Sequence, residues 1–145
     1  MSATRPSPTI EVYGLVRRLR WVMLAVILID ITATLTGQPS TYWSDPRTVE
    51  EGNRLFHWIM SQGYHVSLFV DLFYVGGSFL LVTYLPWRLG LSLLFALILG
   101  HFFGGSSWLC YRFQLGAMGM ILYGVLLAIT LVAVGFPVAA KRPHP

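Results

Sequence analysis

Three ionisable side chains stand inside apolar stretches of this sequence: Asp30 in LAVILIDITATL, Asp71 in SLFVDLFYV and His101 in LILGHFF. A charged group at the centre of a membrane-spanning helix costs at least ~2.5–3.5 kcal/mol on insertion scales, so such groups normally face other helices and have a task. Carboxylates and an imidazole together suit two kinds of chemistry. They can ligate a divalent cation such as Zn²⁺, Mn²⁺ or Fe²⁺, which would activate water, or they can exchange protons as general acid and base. His57 or Glu51, from the segment between the first two apolar runs, would complete either set. The candidate metal ligands are therefore Asp30, Asp71, His101 and His57, and the cofactor to expect with them is a divalent metal ion. No H-E-x-x-H, Walker or C-x-x-C motif accompanies them, and His57 and His101 belong to separate elements.

Helical geometry supplies the reason to group these residues. At ~1.5 Å per residue, Asp30 lies about 10 Å below the end of its apolar run near Gly37. Asp71 lies about 10–12 Å below Tyr64, and His101 about 14 Å below Cys110. All three depths refer to the same side of a bilayer. Tyr64, Ser67, Asp71, Tyr74 and Ser78 form one continuous polar stripe at helical spacing, and Asp30 shares a face with Thr34. Leu97, His101, Gly104 and Trp108 share another face, with Gly100 and Gly104 as a small-x-x-x-small contact. Glu50, Asn53 and His57 fall on one face of the intervening segment, with Glu51 close by on a different side. Asp30, Asp71 and His101 are thus the candidate catalytic groups, and Thr34, Glu51, Asn53, His57 and Tyr74 the candidate contributors.

The elements that must position these groups are read as an all-α fold: a four-helix transmembrane bundle with an extra interfacial amphipathic helix between spans 1 and 2. The spans are expected at about 21–36, 64–84, 89–110 and 115–138, and the interfacial helix at about 46–62. A helical stem from near Ile10 carries Arg17, Arg18 and Arg20 to the first span, lengthening it towards the about 20 residues a bilayer needs. Residues 1–9 read as a tail, and the first span as retained rather than cleaved, because Asp30 interrupts its apolar run. Residues 1–145 form a single integral membrane domain on this reading.

Composition supports the bilayer. The chain has 145 residues, 55% of them hydrophobic and only 11% charged. A soluble fold of this size could not bury so much apolar surface. The formal net charge of +4 does not signal nucleic-acid binding, because the basic residues sit at the ends of apolar runs and form no stripe. Cys110 is the only cysteine, which excludes an intrachain disulfide and a cysteine zinc site. With the N-terminus inside, Arg5, Arg17, Arg18, Arg20, Arg88, Lys141 and Arg142 lie inside, against Arg47, Arg54 and Arg112 outside. Both termini are therefore expected in the cytoplasm, with the chain in the cytoplasmic (inner) membrane.

Through Asp30-x-x-x-Thr34 and Glu51-x-Asn53 the chain resembles a family of small multi-span prokaryotic membrane proteins known mainly as a domain of unknown function. Members of that family are similar in having an Asp/Thr first span and a Glu-x-Asn-Pro-like loop. Arg54 stands here where the family has proline, and the resemblance covers about the first half of the chain. It implies a multi-span membrane fold and no particular activity.

Each feature also has a plainer account: Asp30 as helix glue, the Tyr/Ser stripe as a packing seam, Glu50, Asn53 and His57 as a solvated face, and the tryptophans as an interfacial belt. Three function classes fit the sequence. One is a metal-dependent or acid–base membrane enzyme. Another is an oligomeric transport or proton-relay protein. The third is a non-catalytic subunit or assembly factor. The partners to expect are the lipid bilayer and either a second copy of the chain or another membrane subunit, with no nucleic acid.

Overall fold

The fold is taken from a computed structural model, which describes residues 8–136. The described residues are all-helical. Helix α1 (Pro8–Thr36) is followed by two short 3-10 turns, Ser40–Trp43 and Pro46–Thr48, and then by the short helix α2 (Arg54–Ser61). Helices α3 (Tyr64–Tyr84), α4 (Trp87–Ser107) and α5 (Gly116–Gly135) complete the bundle, with a π-helical turn at Trp108–Arg112 joining α4 to α5. Four of these segments are long and apolar enough to cross a membrane: Glu11–Thr36, Tyr64–Tyr84, Trp87–Arg112 and Gly116–Gly135.

The first helix is longer than its apolar run. It starts at Pro8, not near Ile10, and passes unbroken through the three arginines, so Glu11–Thr36 rises about 39 Å. Proline suits the first helical position because its missing N–H would have no partner there. Arg18 reaches across to the C-terminus of α5 and donates to the carbonyls of Val134 and Gly135, at 3.1 and 3.0 Å. A cation there complements the exposed carbonyls of the helix end. The remainder of the expected tails and the last two residues of the expected fourth span lie outside the described residues.

The core is organised around α1. Val16, Leu19, Val22, Met23, Val26 and Ile27 are all buried, at the three- and four-residue steps of one helix face. They pack against Val82 of α3 and against Leu94 and Ile98 of α4. The opposite faces of α3 and most of α5 carry exposed apolar side chains, among them Phe69, Phe73, Ile121, Leu126 and Ile129. Bilayer hydrocarbon suits such a surface, as no aqueous solvent would. This is the surface of a small multi-pass membrane protein.

The segment between the first two spans departs from expectation. A single helix over 46–62 is not formed; the chain makes a 3-10 turn, runs extended at Val49, and starts α2 only at Arg54. Asn53 is the reason, since its side-chain oxygen accepts from the N–H groups of Leu55 and Phe56 at 3.0 and 3.4 Å, the geometry of an N-cap. Glu50, Asn53 and His57 therefore do not share a helix face. A second small core of Tyr42, Val49 and Met60, flanked by Leu35 and Tyr64, holds this segment on the bundle. The Tyr42 hydroxyl donates to the carbonyl of Met60 at 3.3 Å.

Candidate functional site

The buried stripe of α1 continues past Ile27 to Asp30, so the register that builds the core also turns this carboxylate inward. On α3 the buried positions are Ser67, Asp71, Ser78 and Val82. On α4 they are Gly90, Leu94, Ile98, Gly105 and Ser106, and His101 falls on the same side. The three ionisable groups meet on the walls of one cavity of about 350 Å³, which Thr34, Glu51, Asn53 and Tyr74 also line. Seven of the eight residues singled out from the sequence converge there. The exception is His57, which is exposed and does not line the cavity.

Asp30, His101 and Tyr74 form a hydrogen-bonded chain. His101 Nδ1 lies 2.7 Å from Asp30 Oδ2, and His101 Nε2 lies 2.8 Å from the Tyr74 hydroxyl. The side chains of His101 and Asp30 are only 15% and 16% exposed, so water screens this pair weakly. An ionised carboxylate can only accept, so His101 Nδ1 carries a proton and donates it to Asp30. When the imidazole is neutral, Nε2 accepts from the Tyr74 O–H. When it is protonated, Nε2 donates to the Tyr74 oxygen. The chain can therefore pass a proton between a phenol facing the cavity and an imidazole held in orientation by a carboxylate.

Close approach of α4 to α1 makes this bond possible. A Cβ at Gly104 would lie 2.6 Å from Asp30 Oδ2 and 2.7 Å from Oδ1, so only glycine leaves room for the carboxylate. Gly100 has nothing within 4 Å of a corresponding Cβ. The expected Gly100/Gly104 helix contact is thus made at Gly104 alone, while Gly100 faces the cavity.

The fourth wall comes from the loop before α2. Gln38, 6% exposed, donates from Nε2 to the carbonyls of Thr34 and Glu50 and accepts from the Glu50 N–H through Oε1. These bonds tie the loop to the end of α1 and set Glu51 over the cavity. Glu51 in turn accepts from the Asn53 N–H at 2.8 Å. Glu50 points the other way, is 59% exposed, and pairs with Arg112 at 3.3 Å. Burial pushes the Glu51 carboxyl above the ordinary carboxylate range. The backbone N–H of Asn53 opposes the shift, and the charge of Asp30 adds to it. A group bound more tightly to its proton in the folded state contributes stability at low pH and loses it as pH rises through its folded value. Glu51→Gln is expected to remove that slope and to raise the melting temperature relative to wild type at neutral pH. Thermal unfolding in detergent between pH 4 and 8 checks this; a Gln variant less stable at pH 8 contradicts it.

Asp71 is buried and lines the same cavity, but no direct hydrogen bond joins it to Asp30 or His101 among the described residues. No group of three or more His, Cys, Asp or Glu side chains among those residues is arranged to hold a metal ion. Metal ligation by Asp30, Asp71, His101 and His57 is therefore not supported by this geometry: His57 is exposed and does not line the cavity, and the rest form no metal-holding group among the described residues. Two residues of the neighbourhood, Gln38 and Tyr123, are not among the candidates read from the sequence. Trp108, expected on the His101 face, lines the cavity and also packs on Gly37. Tyr123, in the most apolar span, carries a buried hydroxyl with no partner and packs near Asp30 beside Gly105.

Comparison of the chain with protein-family models, with characterised proteins and with solved structures finds no match. The function is therefore argued from the geometry alone.

Proposed function

We propose that this protein is an acid–base membrane enzyme, acting on a small molecule held in the α1–α3–α4 cavity, with Tyr74, His101 and Asp30 as its proton relay. The observation that carries this reading is the Asp30–His101–Tyr74 chain ending on the wall of a cavity of about 350 Å³. Helix glue needs the bonds but not the cavity. A metal site needs a converging ligand set that the described residues lack. Asp30 orients His101 through its Nδ1, and His101 takes a proton from Tyr74 or returns one through Nε2. Tyr74 is the catalytic contact with the substrate. Thr34, Asn53 and Ser67 offer hydrogen bonds for orientation, and Glu51 and Asp71 supply charge.

The site lies in the outer half of the bilayer if both termini are cytoplasmic, with α2 at the interface as an outer cover. The excess of Lys and Arg in the expected inner segments supports that orientation. Reporter fusions after Trp87 are expected to read cytoplasmic, and fusions within residues 38–46 to read external. The opposite result would reverse the orientation.

The chemical test compares small molecules extracted from purified wild type, Tyr74→Phe and Gly100→Trp. Tryptophan at 100 fills the cavity from a position with nothing within 4 Å. Wild type and Tyr74→Phe are expected to retain a compound that Gly100→Trp excludes, and the compound is expected to accumulate unprocessed with Tyr74→Phe. Identical extracts from all three proteins would leave only structural roles for the relay.

A further inference from the structure

The charge of the cavity is unbalanced. Three carboxylates line it, Asp30, Glu51 and Asp71, and neither lysine nor arginine lines it among the described residues. One of them, Asp30, is hydrogen-bonded to an imidazole, that of His101. Asp71 is only 9% exposed and makes no ion pair among the described residues. A buried carboxylate lining a cavity is the complement of a cation, because desolvation penalises it until an opposite charge arrives.

The walls indicate which kind of cation. Phe56 and Tyr74 stand at 86° to each other with ring centroids 6.4 Å apart, and Trp108 contributes a third aromatic wall. Perpendicular aromatic faces beside a carboxylate are how proteins hold alkylammonium groups. A bare metal ion would instead need several oxygen or nitrogen ligands at bonding distance, which the described residues do not gather. The cavity is at the small end of the range that holds organic ligands.

A second cavity of about 520 Å³ shares Glu51, Asn53, Ser107 and Trp108 with the first and is bordered by Glu50 and Arg112. Its two glutamates, one of them already paired with Arg112, keep the approach acidic.

We infer that the ligand of this site is an organic ammonium, taken from the α2 side of the bundle and held by Asp71 and Glu51 within the Phe56, Tyr74 and Trp108 walls. This rests on the reading of the cavity as a substrate site and names its substrate class. The test uses choline and its uncharged isostere 3,3-dimethylbutan-1-ol on the full chain in detergent, followed by calorimetry and tryptophan fluorescence. Choline is expected to bind saturably and at least about tenfold more tightly than the isostere, a difference of ~1.4 kcal/mol. That preference should vanish in Asp71→Asn and shrink in Glu51→Gln, each shown folded by a single cooperative melt, and persist in Glu11→Gln at the far end of α1. Equal binding of the two probes would overturn the ammonium inference and leave the substrate cavity standing. Binding of neither would overturn the inference, and the extraction comparison then decides the cavity reading separately. Saturable Mn²⁺ binding that displaces choline and needs Asp71 would also overturn it, in favour of a metal.

Discussion

His101→Ala is expected to lower the unfolding free energy by about 3–5 kcal/mol, more than Asp30→Asn does. Removing the imidazole leaves the Asp30 carboxylate buried without the partner that lies 2.7 Å away, and an uncompensated buried charge is the costly outcome. Asparagine at 30 keeps an oxygen that can still accept from His101 Nδ1, so the loss there is the difference between a charged and a neutral hydrogen bond, roughly 1–2 kcal/mol. The double variant should be less damaged than the sum, with a coupling of roughly 0.5–3 kcal/mol. Asp71 and His101 share a cavity without a direct bond, so their cycle is expected at the low end of that range. Denaturation in mild detergent, read by loss of helical signal, gives all of these values. Strict additivity of Asp30 and His101 would mean that the two do not meet.

Gly104→Leu is expected to be the most disruptive glycine replacement in the bundle, and even Gly104→Ala should cost about 1–3 kcal/mol. The first carbon of any side chain would occupy the space of the Asp30 carboxylate, so α4 must move away from α1 or the carboxylate must leave His101. Gly100→Ala provides the contrast one turn earlier. It meets nothing within 4 Å and exchanges a flexible residue for a good helix former, so it should be neutral or slightly stabilising. Ile129, 60% exposed on α5, is the matching lipid-facing control; Leu131 does not serve, because it packs against the core. Equal melting temperatures for Gly104→Ala and Gly100→Ala would contradict the close approach at 104.

The architecture was legible because each span repeats one simple statement. Apolar residues at every position declare the membrane, and the three- and four-residue steps of the exceptions declare which side faces inward. Asp30, Asp71 and His101 follow those steps, so their convergence could be read from depth and face before any coordinates. The segment from 38 to 62 was less legible. Its apolar residues at 55, 56, 59 and 60 fit a helix that could have begun at Pro46, and the periodicity does not show that Asn53 is a cap. Only the cap bonds and the Gln38 clamp turn Glu51 inward and Glu50 outward, and both depend on contacts distant along the chain. His57 was misplaced by the same error. Tyr123 was hidden for a different reason: in an otherwise apolar span, a phenol reads as packing until a neighbour is seen beside it.

Nitrogen-15 NMR of His101 tests the relay most directly. With histidine labelled and His101 assigned by substitution, the ring nitrogens report which of them carries the proton. Nδ1 is expected to carry the proton shared with Asp30, with Nε2 facing the Tyr74 hydroxyl. Tyr74→Phe should move the Nε2 resonance, and Asp30→Asn the Nδ1 resonance. A His101 that carries its proton on Nε2, or whose ring resonances are unchanged in both variants, would contradict the Asp30–His101–Tyr74 relay.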